Sequence, residues 1–564
     1  MSSPAERRAG TVGPASLLAV VLWLAAALPV PAQDVAVPAD PFVTEDAEPV
    51  PDGAILESEG AVIGEIVLLK QNVFDLSNPK EDNALYRFAN RWHIITRDSV
   101  IRQQLLFREG DPYVQRLMDE SARVLRERRY LYTAEVEPLR YENGVVDVVV
   151  RTRDLWTLMP GFSVSRKGGE NKTRFSLSES NLLGRGSRLR FAYIDDVDRE
   201  YTTFEFSDEN LGHSWASLYV GFADKSDGNT SQVQLVRPFF SLDSLWSAGF
   251  DYLDDDREDR LYDLGNEVAE YGHRTDYYSA FGGWSTGLDG GWVRRFRAGL
   301  VYDDQRFTQV ENPELPNVLP EDRKLVYPFI ELEMLEDRFE TTSNRDQIAR
   351  TEDFYMGRRL TARLGYASDS FGSDRDSVIY DIDASRGFGD INRKALLFGA
   401  GASGRIDEGE SANAVVSADA RYYNQISGKR LFFMTIHGKW GQNLDLENLI
   451  ELGGDNGLRG YPLRYQAGDA SLLFTIEQRY FTNWYPFRLV RIGGAVFADV
   501  GRTWGDNPVG GEPLGWLKDV GFGLRFAPTR GSADEVFHLD IAFPLDGDPT
   551  IDEVQILLES KSSF

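Results

Sequence analysis

The stretch Leu472-Leu-Phe-Thr-Ile-Glu-Gln-Arg-Tyr480 separates apolar side chains from charged ones by parity. Because successive side chains of a strand point to opposite faces, the stretch predicts a β-strand with one apolar and one charged face. The apolar set is Leu472, Phe474, Ile476 and Tyr480, and the polar set is Thr475, Glu477 and Arg479.

Three later segments, residues 520–526, 537–543 and 554–558, repeat this alternation. A soluble β-sandwich could show the same pattern, so the alternation alone leaves both classes open. The number of such segments and the leader peptide in front of them favour a barrel in lipid.

The N-terminus, residues 1–32, has the features of a secretory signal peptide. Arg7 and Arg8 are basic, residues 17–28 are apolar, and Val30-Pro-Ala32 presents small residues where signal peptidase cleaves. No later segment approaches the ~18 uninterrupted apolar residues of a membrane helix. A secreted chain without helical spans is either soluble or a β-barrel.

Composition argues against several classes of function. The formal charge is 61 − 89 = −28, whereas binding to nucleic acid needs a basic surface, so no nucleic-acid partner is expected. The chain has no cysteine, its five histidines are scattered, and it lacks a glycine-rich phosphate loop, so we expect no metal and no cofactor.

The string Gly283-Trp-Ser-Thr-Gly287 resembles the motif of a nucleophile elbow, but it is not followed by the helix that such an elbow requires. No catalytic residue is predicted, and therefore no enzyme.

Two regions precede the strand-rich part of the chain. Residues 33–59 are rich in Pro, Asp and Glu and predict a disordered linker. Residues 60–153 predict a compact α+β module in the order β-α-α-β-β, with helices over a three-stranded sheet. Its predicted strands are residues 61–74, 133–141 and 145–151, and its predicted helices are residues 96–107, with Thr96 as the cap, and a second helix from Asp111-Pro112.

Residues 154–564 lose helical periodicity and predict a β-barrel. Short connections such as residues 183–186 alternate along the chain with longer, charged ones such as residues 195–200, 254–260 and 305–324. An outer-membrane barrel has this asymmetry, with tight periplasmic turns and long external loops. Alternation alone marks roughly twenty candidate strands.

Leu458-Arg-Gly-Tyr461 resembles the loop motif (Val/Ile/Leu)-Arg-Gly-(Phe/Tyr) of the outer-membrane assembly-factor superfamily, which includes BamA, TamA and the two-partner-secretion transporters. The module looks like a single polypeptide-transport-associated (POTRA) domain, into which residues 75–95 are inserted. Further elements agree in the family's order: Glu477 in Thr-Ile-Glu-Gln-Arg, Phe497-Ala-Asp499-Val-Gly501, Gly521-Phe-Gly-Leu-Arg525 and the terminal Phe564.

The resemblance implies a transmembrane antiparallel β-barrel of 16 strands, or up to 20 by the segment count, behind one small α+β POTRA domain. Phe564 would face lipid as the barrel-targeting signal. If the charged strand faces point into the lumen, Glu477 and Asp499 are adjacent, and the five-donor guanidinium of Arg459 can bind both. Gly460 would let the loop turn tightly, and Gly501 would leave space for it. The alternative is an ordinary, solvated Arg459.

The family likeness also implies a function, namely assistance with protein insertion or translocation at the outer membrane, with the module in the periplasm. The module would pair an exposed sheet edge with an incoming strand, and the barrel would be the portal. Expected partners are outer-membrane lipid and lipopolysaccharide, unfolded or partly folded envelope proteins, and periplasmic accessory proteins. Two alternatives stay open: a passive channel or structural surface-antigen barrel, and lipid export through the barrel wall.

Overall fold

The computed structural model describes residues 50–310, 318–505, 507–508, 510–511, 514–531, 535–549, 551–561 and 563–564. These residues form a three-stranded sheet, a closed barrel of 20 strands and two two-stranded sheets. The predicted signal peptide, residues 1–32, and residues 33–49 of the predicted linker lie outside the described part. No helix in the described part is long and apolar enough to cross a membrane.

The end of the predicted linker is helical rather than disordered. Helix α1 covers Gly53–Ser58 and follows Asp52, whose carboxylate accepts a hydrogen bond from the Ala54 amide at 3.1 Å. Leu56 is fully buried in the core of the module. This helix therefore belongs to the folded module.

The rest of the module consists of a sheet and three more helices. They are β1 (Val62–Gln71), α2 (Ala84–Trp92), α3 (Asp98–Arg102), α4 (Gln115–Arg126), β2 (Leu131–Glu142) and β3 (Val145–Asp154). The sheet order is β1-β3-β2, in which β3 pairs parallel with β1 and antiparallel with β2. The central strand is the most buried one, and its Val148 and Val150 share a buried core with Met118 and Leu125 of α4.

Two features of the module differ from the sequence prediction. The helix predicted over 96–107 is only Asp98–Arg102, because Thr96 does not cap it. Instead, the Thr96 amide and hydroxyl both donate to Asp154, at 2.7 and 2.9 Å. In addition, α2 lies in residues 75–95, the segment that the sequence suggested as an insertion.

The barrel contains twenty antiparallel strands, so the segment count is confirmed and the 16 strands implied by the resemblance are wrong. Two hairpins, made of β14 (Phe339–Ser343) with β15 (Thr351–Tyr355) and of β21 (Ile450–Leu452) with β22 (Gln466–Gly468), lie in connections between barrel strands. In chain order the strands are β4 (Leu158–Lys167), β5 (Glu170–Glu179), β6 (Arg188–Asp195), β7 (Glu200–Leu211), β8 (Ala216–Lys225), β9 (Gly228–Arg237), β10 (Trp246–Asp263), β11 (Asn266–Asp289), β12 (Trp292–Gln309), β13 (Arg323–Glu336), β14 (Phe339–Ser343), β15 (Thr351–Tyr355), β16 (Arg358–Ala367), β17 (Ser377–Asp390), β18 (Lys394–Asp407), β19 (Glu410–Ser427), β20 (Arg430–Gln442), β21 (Ile450–Leu452), β22 (Gln466–Gly468), β23 (Ala470–Phe481), β24 (Val490–Trp504), β25 (Leu517–Pro528), β26 (Val536–Pro544) and β27 (Gln555–Lys561). Short 3₁₀ turns cover Leu182–Gly184, Asp369–Phe371, Leu446–Asn448 and Pro486–Arg488.

The barrel wall is apolar outside and charged inside. Along β25, Val520, Phe522 and Leu524 are exposed, whereas Asp519 and Arg525 are buried. The apolar exterior suits acyl chains rather than water, as in transmembrane barrels.

Residues 254–260, predicted as an external loop, are part of β10, which pairs with β11 along its whole length. Cations on β8 and β11 compensate this acidic run, since Lys225 Nζ lies 2.5 Å from Asp255 and Arg274 Nη2 lies 3.3 Å from Asp254. Part of the predicted loop 305–324 is likewise strand, because β12 ends at Gln309.

The barrel closes where β27 meets β4, and we call this junction the seam. Among the described residues, one pair, Leu558↔Arg166, joins the two strands. By contrast, β4 pairs with β5 along its whole length. Lys167 Nζ also bridges the seam to Glu559 at 2.8 Å. In the described structure, residues 158–165 of β4 therefore have no strand partner on the β27 side.

The module packs against one end of the barrel, which we call the near rim; the opposite end is the far rim. Arg116 of α4 binds Asp243, between β9 and β10, at 2.5 Å. Arg530, between β25 and β26, binds Glu81 at 2.6 Å and donates to the Val73 carbonyl at 2.8 Å. The module thus contacts connections on widely separated parts of the rim.

Replacing Arg530 by alanine is expected to release residues 73–97 from the near rim. The change leaves the Glu81 carboxylate buried without its partner, which costs about 3–5 kcal/mol. Limited proteolysis of the folded chain should then cut within residues 75–95 faster than in the wild type.

Arg140→Ala is the control, because the Arg140–Asp147 pair is exposed on the arginine side and such pairs contribute about 0–1 kcal/mol. Equal cleavage rates in the Arg530→Ala chain and the wild type would contradict the role assigned to this ion pair.

Candidate functional site in the barrel lumen

The connection between β20 and β23, residues 443–469, folds into the barrel, and we call it the lumen loop. Leu458 and Tyr461 are fully buried and share a core with Leu517 of β25. The Tyr461 hydroxyl donates to the Lys518 carbonyl at 2.8 Å and accepts from the Lys518 amide at 3.0 Å. The loop is therefore packed on the inner wall.

The Arg459 guanidinium contacts both of the carboxylates that the sequence suggested. Its Nε and Nη2 donate to the two oxygens of Asp499 at 2.7 and 2.9 Å. Its Nη1 donates to Glu477 Oε1 at 2.8 Å, and its Cζ lies 3.4 Å from the centroid of the Phe497 ring. Because Arg459 is only 5% exposed, this geometry rules out a solvated loop arginine.

The electrostatics of the lumen loop favour a permanently charged Arg459. Burial alone would lower the pKa of Arg459, but Asp499 and Glu477 outweigh it and hold this pKa well above the ordinary value. Arginine bound to both oxygens of a carboxylate is among the stronger ion pairs in proteins. The contact can therefore anchor the loop to two neighbouring strands.

Two glycines let the lumen loop approach the wall. A Cβ on Gly460 would lie 2.6 Å from the Asp519 Cβ, and the Gly460 amide donates to Asp519 Oδ2 at 3.0 Å. A Cβ on Gly501 would lie 2.7 Å from a Leu452 methyl and 3.2 Å from a Leu458 methyl. Gly501 thus makes room for loop side chains, whereas Gly460 permits close contact with β25.

The terminal Phe564 lies inside the barrel, so the expectation that it faces lipid is wrong. It is 2% exposed, and its ring centroid lies 4.8 Å from that of Phe481. β27 ends at Lys561, so strand alternation no longer determines the direction of the Phe564 side chain. A 2.8 Å hydrogen bond between His538 Nε2 and the Ser563 carbonyl holds the terminus inward.

Further buried ion pairs adjoin Arg459, although the sequence did not identify them as site residues. Arg479 Nε donates to the second oxygen of Glu477 at 2.9 Å. Arg525 lies 2.5 Å from Asp540, and both side chains are fully buried. The sequence did contain an indication of these pairs, because each charged residue lies at a position of its strand whose side chain points into the barrel.

Residues 337–357, between β13 and β16, form a second element in the lumen, which we call the rim hairpin. Its strands β14 and β15 pair with each other and not with the barrel. Ile348 and Met356 are buried in a cluster with Tyr423 of β19 and Phe433 of β20, which face inward. The hairpin therefore occupies the lumen at the near rim.

Charged contacts hold the rim hairpin on two sides. Arg479 Nη1 donates to the Arg345 carbonyl at 2.8 Å and lies 3.3 Å from Asp346 Oδ1. From the module, Arg126 of α4 donates to both oxygens of Asp353 at 2.7 Å. The hairpin thus connects the inner wall of the barrel to the module.

His538, Asp540 and Glu559 bring together atoms that could bind a metal, all within 4.8 Å of one another. Both carboxylates already have cationic partners, because Arg525 binds Asp540 and Lys167 binds Glu559. The side chains around this group therefore balance its charge without an ion.

Several solved structures resemble this chain. The chain is similar to BamA and CdiB. BamA from Haemophilus ducreyi lacking POTRA domains 1-3 has 14% identity over 88% of this chain and 84% of that chain, with a TM-score of 0.38. CdiB from Acinetobacter baumannii has 11% identity over 97% and 96%, with a TM-score of 0.43. OccK10 (OpdN) from Pseudomonas aeruginosa has 11% identity over 71% and 98%, with a TM-score of 0.33. No protein-family model and no curated protein matches the chain.

The lumen loop and the rim hairpin leave a cavity of about 260 Å³ between them. Its lining includes Arg459, Glu477, Arg479, Asp346 and Phe564. The cavity is small, and the charged groups among these residues pair with one another, Arg459 with Glu477 and Arg479 with Glu477 and Asp346. The arrangement is suited to holding two chain segments in place.

Proposed function

We propose that this chain assists the insertion or translocation of proteins at the outer membrane, with the module in the periplasm and lipid and lipopolysaccharide around the barrel. The observation that carries the proposal is the seam, where one pair of residues joins β27 to β4 within the part of the chain that the structure describes. Opening the seam there breaks few backbone hydrogen bonds. The backbone of residues 158–165, which has no strand partner on the β27 side in the described structure, would then be accessible as a template for an incoming strand.

The module supplies a second edge for an unfolded envelope protein. The outer edge of β1 is covered, because the Gly110 amide donates to the Ile63 carbonyl at 2.9 Å and the Tyr113 amide to the Ala61 carbonyl at 2.8 Å. The opposite edge is β2, whose residues 135–142 make no backbone hydrogen bond to any described segment except β3. We propose that substrate strands, or periplasmic accessory proteins, pair with this POTRA-like edge.

The passive-channel alternative has less support. A passive pore needs a continuous water-filled lumen, whereas the lumen loop and the rim hairpin both occupy it in the described structure. A lumen loop that is anchored by buried ion pairs suits a gated portal better than a permanently open pore.

Locking the seam by a disulfide is expected to abolish function. Leu558 and Arg166 are directly paired, and paired antiparallel residues have Cα atoms about 4.5–5.5 Å apart, within the range of a disulfide. The chain has no cysteine, so Leu558→Cys with Arg166→Cys creates the one possible intramolecular bond. Quantitative proteomics of the outer membrane in a depletion strain carrying this variant should show loss of client barrels, and reductant should restore them.

The control is Phe162→Cys with Phe175→Cys, a lipid-facing pair between β4 and β5 that is already fully paired. This bond should leave the outer-membrane proteome unchanged. A seam-locked chain that still supports a normal proteome, or depletion without any change in it, would overturn the proposal.

A further inference from the structure

Helix α2 presents an apolar stripe that nothing in the described structure covers. Leu85, Phe88 and Trp92 are 66%, 56% and 69% exposed. Their i, i+3, i+7 spacing places them on one face of the helix. Ile94, just after the helix, is also exposed. We call these four residues the α2 stripe; contiguous apolar surface of this kind marks an interaction site.

The opposite face of α2 is fixed to the near rim, so the stripe cannot turn inward. The Tyr86 ring stacks on Phe74 with centroids 3.9 Å apart, and the Tyr86 hydroxyl donates to the Phe487 carbonyl. Tyr86 and Phe74 also pack with Trp156 and Leu489. The direction of the stripe is therefore set by the fold.

The segment lies below the seam. Tyr86 contacts the connection between β23 and β24 at Phe487, and the Arg97 amide donates to the Gly184 carbonyl between β5 and β6 at 3.0 Å. The barrel order β24-β25-β26-β27-β4-β5 places the seam between these two contact points. Residues 86–97 therefore run along the near rim beneath the junction of β27 and β4.

The neighbouring connections carry exposed apolar residues at the same rim. Trp484 and Phe487 are exposed between β23 and β24, and Leu183 is exposed between β5 and β6. The apolar exterior of the barrel ends at this rim, and aromatic residues are typical where a barrel meets the membrane interface. The α2 stripe thus continues a lipid-facing surface.

The charge of the segment differs from that of the rest of the chain. Residues 84–97 contain Arg87, Arg91 and Arg97 and no acidic residue, although the whole chain carries a formal charge of −28. Arg87 and Arg91 are exposed on α2, although Arg87 also pairs with Asp82, just before the helix, at 2.6 Å. An apolar stripe flanked by arginines is the pattern of a helix that lies in a membrane interface and attracts anionic phospholipid.

We propose that α2 is an interfacial helix whose stripe inserts into the phospholipid leaflet at the near rim, directly beneath the seam. This inference depends on the outer-membrane location of the proposed function, but not on any activity toward substrates. The occupant of the stripe is the acyl region of that leaflet, with the arginines at the phosphate level. The helix would hold the module against the membrane and perturb the lipid where the seam meets it.

A site-specific fluorophore tests the proposal. Since the chain has no cysteine, Phe88→Cys and, separately, Trp92→Cys can each carry one environment-sensitive label on the otherwise unchanged full chain. In vesicles of phosphatidylethanolamine and phosphatidylglycerol, we expect the emission of both labels to shift to shorter wavelength. Lipids with a nitroxide near the headgroup should quench most of that emission.

Glu137→Cys is the matched control, because Glu137 is exposed on β2 of the same module; its label should keep the emission of a solvated site and resist quenching. Solvated, unquenched labels at positions 88 and 92 would overturn the proposal. So would labels shielded without lipid quenching, which would mean that a second copy or another protein covers the stripe. A quenched label in a chain that supports no client barrels would overturn the proposed function alone.

Discussion

Arg459→Ala is expected to remove the heat resistance of the folded barrel in detergent and to abolish function. The change leaves Glu477 and Asp499 buried without the guanidinium that binds them at 2.8 and 2.7 Å. Loss of one partner from a buried ion pair costs about 3–5 kcal/mol. The lumen loop would also lose the contact that holds it to β23 and β24.

Migration on an unheated detergent gel, followed through a temperature series, measures this effect. Arg459→Lys keeps the charge but not the two-pronged contact with Asp499, so its transition should fall between those of the wild type and the alanine variant. Arg430→Ala is the control, because Arg430 is exposed at the start of β20. A wild-type transition for Arg459→Ala would contradict the anchoring role.

Replacing residues 338–356 by a short glycine turn is expected to raise the single-channel conductance of the barrel several-fold. The rim hairpin fills the near-rim lumen with Ile348, Phe354 and Met356, and its removal opens that space to water. The ends can be joined without strain in the wall, because Leu335 and Arg359 are already paired across β13 and β16. Planar-bilayer recordings measure the change, and an unchanged conductance in a folded variant would show that the hairpin does not close the lumen.

A charge swap tests whether the module holds the rim hairpin. Arg126→Glu should increase the frequency of open events, because it places a carboxylate against Asp353 in place of an ion pair with 2.7 Å contacts. Adding Asp353→Arg should restore the closed state. Arg140→Glu, which reverses an arginine of the module that does not contact the hairpin, should leave the recordings unchanged. Failure of the second substitution to restore closure would contradict direct pairing.

Strand alternation predicted most of the barrel, and it also predicted which charges face inward. Parity predicted that Glu477 and Asp499 are adjacent if the charged faces point inward, the family resemblance suggested Arg459 as their partner, and the structure places both against Arg459. Parity determines the two faces of a strand but not where the strand ends. For this reason the acidic run at 254–260 suggested a loop although it is strand.

Other features depend on contacts between residues far apart in the chain. Nothing local in residues 337–357 indicates that Asp353 meets Arg126 or that Asp346 meets Arg479. Phe564 follows the end of β27, so alternation could not determine its direction. The stripe on α2 was not predicted, because residues 75–95 were interpreted only as an insertion and no helix was assigned to them.

The Glu477 carboxylate binds two arginines, and these arginines hold elements that enter the barrel from opposite ends. One oxygen accepts from Arg459, on the loop that enters from the far rim, and the other from Arg479, which grips the near-rim hairpin through Asp346. Displacing the lumen loop or the rim hairpin changes the electrostatic environment of the arginine that holds the other element. We therefore expect the positions of the two elements to be thermodynamically linked. We therefore expect a displacement at one opening of the barrel to reach the other opening through the side chains of Arg479, Glu477 and Arg459.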